Sequence, residues 1–231
     1  MSRQIILVPG QLCNERIWQH QVPVLSRLGD VIIATQQKHD TIGAMAQSIL
    51  DGATDRFNLV THAMGGFVAF EILRRAPERV AKIVLISTLA PADTPQQTVR
   101  REGYLRLVEE GKFDGIIEER IPILVHPDRT SDTALVATLR TMAAETGPDA
   151  FLNQQRAIMT RADSVASLGA IACPSLIIFG RQDGITNMNH QNQMLAGIPG
   201  ALLEIIEDCG HMVPLERPEP LNALLETFLT A

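Results

Sequence analysis

Apolar runs of strand length recur along the chain: Gln4–Val8 (QIILV), Val31–Thr35 (VIIAT), Phe57–Thr61 (FNLVT), Lys82–Ser87 (KIVLIS), Ser175–Gly180 (SLIIFG) and Leu202–Glu207 (LLEIIE). They are rich in Ile, Val and Leu and alternate little with polar residues, which is the pattern of strands covered on both faces. Between them, Trp18–Leu28, Ile42–Thr54, Met64–Arg75, Met188–Ala196 and Pro218–Leu229 keep helical periods. Strand and helix in alternation predict an α/β fold, a mostly parallel twisted sheet with helices on both faces. In such sheets function sits beyond the carboxyl ends of the strands, so the loops after the strands are the places to search.

One segment breaks the alternation. From Ala90 to about Ala170 only helical spacing is found, with Leu135, Leu139 and Met142 at i, i+4 and i+7 and a second run through Phe151, Gln155, Ile158 and Met159. "HPDRTSD" (His126–Asp132) and "TGPD" (Thr146–Asp149) divide these helices, and Pro148 suits a first turn. The predicted organisation is a core of residues 1–89 and 171–231 with a small all-helical cap, 90–170, laid over the strand ends. Repeats and low-complexity tracts are not evident.

Composition narrows the functional classes. The 231 residues are 45% hydrophobic, enough for one sizeable core, and the net charge of −6 argues against nucleic-acid binding, which needs basic residues to neutralise phosphates. Three cysteines, Cys13, Cys173 and Cys209, are odd in number and far apart, which fits a reducing compartment better than a disulfide framework. The apolar run after "MSRQ" is too short for a signal peptide, and no later run reaches a membrane span. The expectation is a cytoplasmic protein, monomer or homodimer, acting on a small molecule without a membrane or nucleic-acid partner. His20, His39, His126 and His190 have no ligand spacing with one another or with the cysteines, so no metal is expected, and without a G-x-G-x-x-G or G-x-x-x-x-G-K-S/T sequence no cofactor is expected either.

The chemistry gathers at four strand ends. In "THAMGG" a strand meets a glycine-marked turn and a helix at once, the layout that lifts a nucleophile clear of a sheet, yet Ala63 stands at its centre. Gly65 permits close packing two residues later, while Thr61 stands where a small residue is usual. Asp183 follows the fifth strand and His211 follows the sixth, so a carboxylate and an imidazole at neighbouring strand tips can pair. Glu207 and Asp208 share a strand end with His211, which makes Asp183 the better acid. His62 reads as packing beside the turn, and Cys209 as a small buried filler close enough to His211 to matter if modified.

These motifs together resemble the α/β-hydrolase superfamily, most of all its compact bacterial esterase-like members with a short helical cap. The carrying stretches are "LVPGQLCNERIW", "LVTHAMGGFVAFEI", "APERVAKIVLIST", "CPSLIIFGRQDGIT" and "IEDCGHMVPLERPE", spread over nearly the whole length. The family usually has His-Gly where Pro9-Gly10 stands and G-H-S-M-G-G at the turn. The resemblance implies that Ala63 holds the place of a nucleophilic serine, with Asp183 as the acid and His211 as the base of a triad. It implies backbone donors for the reacting oxygen at Gln11 (Leu12 being the alternative) and Met64. Alanine at 63 reads as an inactivating substitution.

Three readings follow. The first is a hydrolase of a carboxylic ester, lactone, thioester or amide that lacks its serine. The second is a His-Asp enzyme of the same fold that needs no nucleophile, a lyase or cofactor-free oxygenase, and the third is a non-catalytic binding protein. For the substrate, Leu12, Met142, Phe151 and Met159, with Leu107, are the expected apolar lining. Arg156 and Arg161 are expected to be solvated.

Overall fold

The computed structural model describes residues 4–231. Six strands, β1 (Gln4–Val8), β2 (Asp30–Ile33), β3 (Phe57–His62), β4 (Val80–Ile86), β5 (Ser175–Gly180) and β6 (Leu202–Ile206), make one sheet in the order β2-β1-β3-β4-β5-β6. Every neighbouring pair is parallel. Helices α1 (Val22–Leu25), α2 (Ile42–Gly52) and α3 (Met64–Arg75) connect the first four strands. Three more, α4 (Pro95–Glu109), α5 (Phe113–Leu124) and α6 (Thr133–Met159), lie between β4 and β5, and α7 (Met188–Gly197), α8 (Val213–Glu216) and α9 (Pro218–Thr230) come after β5 and β6. Among the described residues no helix is long and apolar enough to cross a membrane.

The period-2 geometry of the strands divides their side chains between two cores. Ile5, Leu7, Val84, Ile86 and Ile178 face Trp18, Leu25 and the Leu221, Leu225 and Leu229 stripe of α9. Ile6, Val8, Leu59, Ile83, Leu85 and Ile177 face α2, α3 and α7. Double coverage explains the unbroken apolar runs of β1, β3, β4 and β5. It does not extend to β2 and β6, which are edge strands: Ile32 is 38% and Leu202 56% exposed. The first core continues without a break into α5 and α6 through Ile116, Ile121, Leu135, Leu139, Met142 and Phe151.

Two helices differ from the sequence expectation. Trp18–Leu28 is not one helix but a 3-10 turn, Glu15–Trp18, followed by the single turn α1. Pro23 explains it: inside a longer helix it would remove an amide donor and clash with the preceding turn, whereas at the start of α1 it fits. The expected division at "TGPD" is a kink and not a loop, with Gly147 at φ 76° between two helical halves of α6.

The order of the strands places a switch point between β1 and β3, because the chain leaves β1 toward β2 and returns across it to β3. Gly65 lets the first turn of α3 lie directly against β1 there. A Cβ at this position would fall 2.4 Å from the Val8 carbonyl oxygen, which is backbone and cannot step aside. Gly65→Ala is therefore expected to lower the free energy of unfolding by about 2 kcal/mol or more through overpacking. Gly115→Ala, in α5 with nothing near the added methyl, is expected to raise it by about 0.5–1 kcal/mol through helix propensity. Urea denaturation of both variants checks this, and equal effects would contradict the assigned packing.

Candidate active site

Five strand ends converge on one cavity. Its wall includes Gln11 and Leu12 after β1, Ala63 and Met64 after β3, Ser87 and Thr88 after β4, Thr186 after β5 and His211 after β6. The cavity encloses about 100 Å³, room for a handful of water-sized groups and so for a small substrate.

Ala63 has φ 48° and ψ −113°, a backbone state that a residue with a side chain rarely holds and that costs on the order of 1–3 kcal/mol. Long-range contacts keep it there. Its N–H donates to the Ile86 carbonyl (2.9 Å), and its own carbonyl accepts from the Gly66 N–H (2.9 Å) and the Thr88 hydroxyl (2.8 Å). Thr61, unexpected two residues earlier, is accommodated because its hydroxyl donates to the Val84 carbonyl within the sheet (3.0 Å). On the other side Gly10 brings the β1 loop into contact with position 63, since a Cβ there would stand 3.1 Å from Ala63 Cβ and 2.8 Å from His62 Nδ1.

Asp183 and His211 meet. His211 Nδ1 lies 2.8 and 2.9 Å from the two carboxylate oxygens of Asp183. A carboxylate accepts, so Nδ1 carries the proton and Nε2 keeps its lone pair, which is the tautomer a general base needs. The Asp183 side chain has no exposed surface and that of His211 only 5%. Burial alone would push the Asp183 carboxyl up. Opposing it are His211 and donors from Thr186 (N–H 2.9 Å, hydroxyl 2.6 Å), and the balance holds the carboxyl below the ordinary range. The Ile185 N–H adds a further donor at 2.7 Å. Glu207 is exposed and paired with Arg181, and Asp208 is exposed with its carbonyl on Arg217, so neither serves His211.

The histidine loop is held by residues that sequence reasoning missed. Glu216 accepts from the N–H groups of Gly210 (3.0 Å) and Met212 (3.2 Å) with one oxygen and from His126 N–H (2.7 Å) with the other. The main-chain N–H of His211 donates to the Leu124 carbonyl at the end of α5 (2.9 Å). Gln154 of α6, fully buried, accepts from the Leu12 N–H (3.0 Å) and so fixes the β1 loop. That occupies Leu12, the alternative donor. The N–H groups of Gln11 and Met64 donate to no described residue, Met64 being the first residue of α3 where amides lack helical partners. Chain separations of 90 and 142 residues left no local signal for Glu216–His126 or Gln154–Leu12. Thr186 did have one, because Asp followed three residues later by Thr suits a side-chain-capped turn.

The remaining residues sort by place. Leu12 and Met142 line the cavity as expected, but Phe151 and Met159 do not. Phe151 turns into the core between Tyr104 and Phe113, and Ile158, one residue before Met159, supplies the wall instead. Leu107 packs against the core and not on the wall. Arg156 is exposed, whereas Arg161 is buried: it pairs with Asp93 (2.7 Å), lies over the Phe67 ring and reaches the cavity. Cys13 also lines the cavity, but burial pushes its thiol up to about 12, which leaves it protonated and a poor nucleophile. Burial raises the Cys209 thiol as well. Among the described residues no group of His, Cys, Asp and Glu side chains is gathered to hold a metal ion.

His62 lies beneath the site with its ring centroid 5.1 Å from that of His211. Its Nε2 donates to the His211 carbonyl (2.9 Å), and burial followed by the neighbouring His211 lowers its pKa to about 3. A histidine that stays neutral in the fold but accepts a proton near pH 6.5 when unfolded contributes stability above that pH. This contribution is lost as pH falls toward 3, with a slope approaching ~1.4 kcal/mol per pH unit. His62→Gln is expected to flatten the loss of stability between pH 6 and 4, as read from urea midpoints; unchanged slopes would contradict a neutral buried ring. Glu216→Ala, which strands two buried N–H donors and a part-buried one, is expected to cost about 2–4 kcal/mol in the same assay. Glu216→Gln is expected to cost less.

The geometry agrees with what comparison with known proteins finds. The family model described as alpha/beta hydrolase fold matches residues 53–218. The chain is 30% identical over 207 residues to a 2-hydroxy-6-oxononadienedioate/2-hydroxy-6-oxononatrienedioate hydrolase of Klebsiella pneumoniae, covering 87% of this chain and 72% of that protein. Among solved structures, a thermophilic esterase from Thermogutta terrifontis superposes with a TM-score of 0.90 at 25% identity, over 99% of this chain and 89% of that one. An enol-lactonase from Burkholderia xenovorans gives 0.91 at 20% identity, over 100% and 92%, a likeness of fold. A sheet of six parallel strands, an elbow after β3 and a match over most of its length make this chain a member of the alpha/beta hydrolase fold family.

Proposed function

We propose that the site is built for acyl transfer from a carboxylic ester, or a related lactone, thioester or amide, through a serine at position 63. His211 takes the serine proton while Asp183 holds the imidazole and stabilises its charged form. The oxygen attacks the substrate carbonyl, whose own oxygen rests on the N–H groups of Gln11 and Met64, and each such donor contributes on the order of 3 kcal/mol in the transition state. His211 then protonates the leaving group, and water cleaves the acyl-enzyme by the same steps in reverse order. The helical segment of residues 90–170 acts as a cap whose Tyr104, Ile117, Leu139 and Met142 close the cavity over the substrate. With Ala63 there is no oxygen to attack, so this chain binds its substrate and forms no acyl-enzyme.

The observation that carries the reading is the strained backbone of Ala63 at the head of α3, in a cavity whose wall holds the tautomer-fixed His211. A methyl group gains nothing from that strain, whereas a hydroxyl would be lifted toward the imidazole. The completeness of the His211–Asp183 pair without a serine also favours a second reading, in which the pair works as a base alone on an acidic substrate.

Ala63→Ser is expected to raise the hydrolysis of p-nitrophenyl acetate and butyrate by several orders of magnitude, up to about 10⁶-fold, with a burst of acyl-enzyme. A serine variant that neither turns over these esters nor reacts with an organophosphate would overturn the reading. Turnover by the Ala63 chain that disappears in His211→Ala would establish the second one.

A further inference from the structure

The cavity wall carries a surplus of positive charge and of hydrogen-bond donors. Its charged members are Arg100, Arg101, Arg120 and Arg161 against a single carboxylate, Asp93, in a chain whose net charge is −6. Asp93 is saturated by Arg101 (2.6 Å) and Arg161 (2.7 Å), and Arg100 lies exposed at the mouth. Arg120 is different. It projects from α5 into the cavity without a carboxylate within 4.0 Å among the described residues. The adjacent Glu119 is exposed and takes the Tyr104 hydroxyl (3.3 Å). Of the five N–H groups on the guanidinium, only those of Nη1 have an acceptor among the described residues, Gln11 Oε1 at 2.6 Å, while Cζ lies 5.9 Å from the Tyr104 ring centroid.

Gln11 gives a second, independent sign. Its side-chain oxygen is taken by Arg120, and its Nε2 is buried with no acceptor. An unsatisfied buried amide donor is costly, on the order of 1–3 kcal/mol, and is tolerated where a ligand completes it. Gln11 is also the residue whose main-chain N–H faces the reacting carbonyl in the proposed mechanism. The Gln11 amide and the remaining N–H groups of the Arg120 guanidinium thus have no acceptor among the described residues, beside the place where chemistry would occur.

We propose that the substrate carries a carboxylate on its acyl side, a short chain away from the reacting carbonyl, and that this carboxylate docks on the guanidinium of Arg120 and the side-chain amide of Gln11. A single planar guanidinium flanked by an amide suits one planar, singly charged group better than a phosphate. The rest of the wall, with Ile117, Ile123, Leu139 and Met142, suits the short hydrocarbon between the two functional groups. The arginines at the mouth would draw such an anion in, more weakly as salt is raised. The inference rests on the acyl-transfer reading only for the carbonyl; the anion site stands on the Arg120 and Gln11 geometry.

The test uses two chromogenic esters of equal length, mono-p-nitrophenyl glutarate and p-nitrophenyl pentanoate, which differ by carboxylate against methyl. In the Ala63→Ser protein, kcat/KM is expected to favour the glutarate, and Arg120→Met is expected to reduce that preference roughly 10- to 100-fold, as loss of one charge-assisted pair does. Arg120→Lys, which keeps the charge, retains part of it. The ratio cancels any general damage to the β1 loop. A serine protein that hydrolyses both esters with a preference unmoved by Arg120→Met would mean that cavity water solvates Arg120, and would overturn the anion site while the hydrolase reading stands. If the serine protein hydrolyses neither ester, calorimetry on the unaltered Ala63 chain decides the site, independently of the hydrolase reading. Monomethyl glutarate is then expected to bind with an affinity that Arg120→Met lowers by the same factor, and the absence of such binding overturns the proposal.

Discussion

Asp183 holds its carboxylate where no water reaches it, and a charge in that position persists only if donors replace its hydration shell. They do so from two directions. The chain just after β5 folds back to supply the Ile185 and Thr186 donors, and β6 delivers His211 from the next strand tip. Satisfying this one charge fixes the path of the β5 loop, the tautomer of His211 and therefore the end of that ring turned toward the cavity. The histidine loop must then be equally well placed, and Glu216 with the end of α5 holds it. Two buried carboxylates, one facing the imidazole and one beneath the loop that bears it, thus govern the geometry of the site. Removing either would leave buried donors with no acceptor, which is why they are more consequential than any exposed ion pair of the surface.

The elbow depends on a different constraint, which is steric. Strand, turn and helix approach so closely that Gly65 meets the Val8 carbonyl and Gly10 meets both His62 and Ala63. Position 63 is left in a left-handed conformation by contacts reaching it from β4 through Ile86 and Thr88. The surrounding structure determines that strain and the residue at 63 does not, so alanine takes the same backbone that a nucleophile would. On the proposed mechanism this separates two properties that usually travel together: the architecture of catalysis remains while its attacking atom is absent.

The helical segment between β4 and β5 does more than cover the strand ends. Its α5 carries Arg120 and, through Leu124, the anchor for the histidine loop, while its α6 carries Gln154, the anchor for the β1 loop. On the proposed mechanism, substrate recognition and alignment of the reacting groups therefore share the same two helices. A change in how these helices pack would be felt at the imidazole and at the backbone donors together.

The apolar runs were sufficient to read the parallel sheet, because β1, β3, β4 and β5 are buried on both faces and period 2 leaves them no polar side. The placing of Asp183, His211 and position 63 at strand tips was legible for a related reason: each lies beside a glycine or at a strand–helix junction that local sequence reveals. The failures were local rules meeting distant partners. Pro23 split a helix that hydrophobic spacing alone had joined, and Phe151 and Met159 kept the right period while the turn of α6 about its axis presented Ile158 to the cavity. Arg161 looked solvated until Asp93, far away in the chain, appeared beside it. The sequence by itself determined the order of the elements and which side chains stand at the strand tips, since both follow from residue type and spacing. Tertiary structure alone decided which donors remain unfilled, which arginine stays unpaired and what holds each loop, because those depend on contacts closed across 90 or more residues that no local pattern encodes.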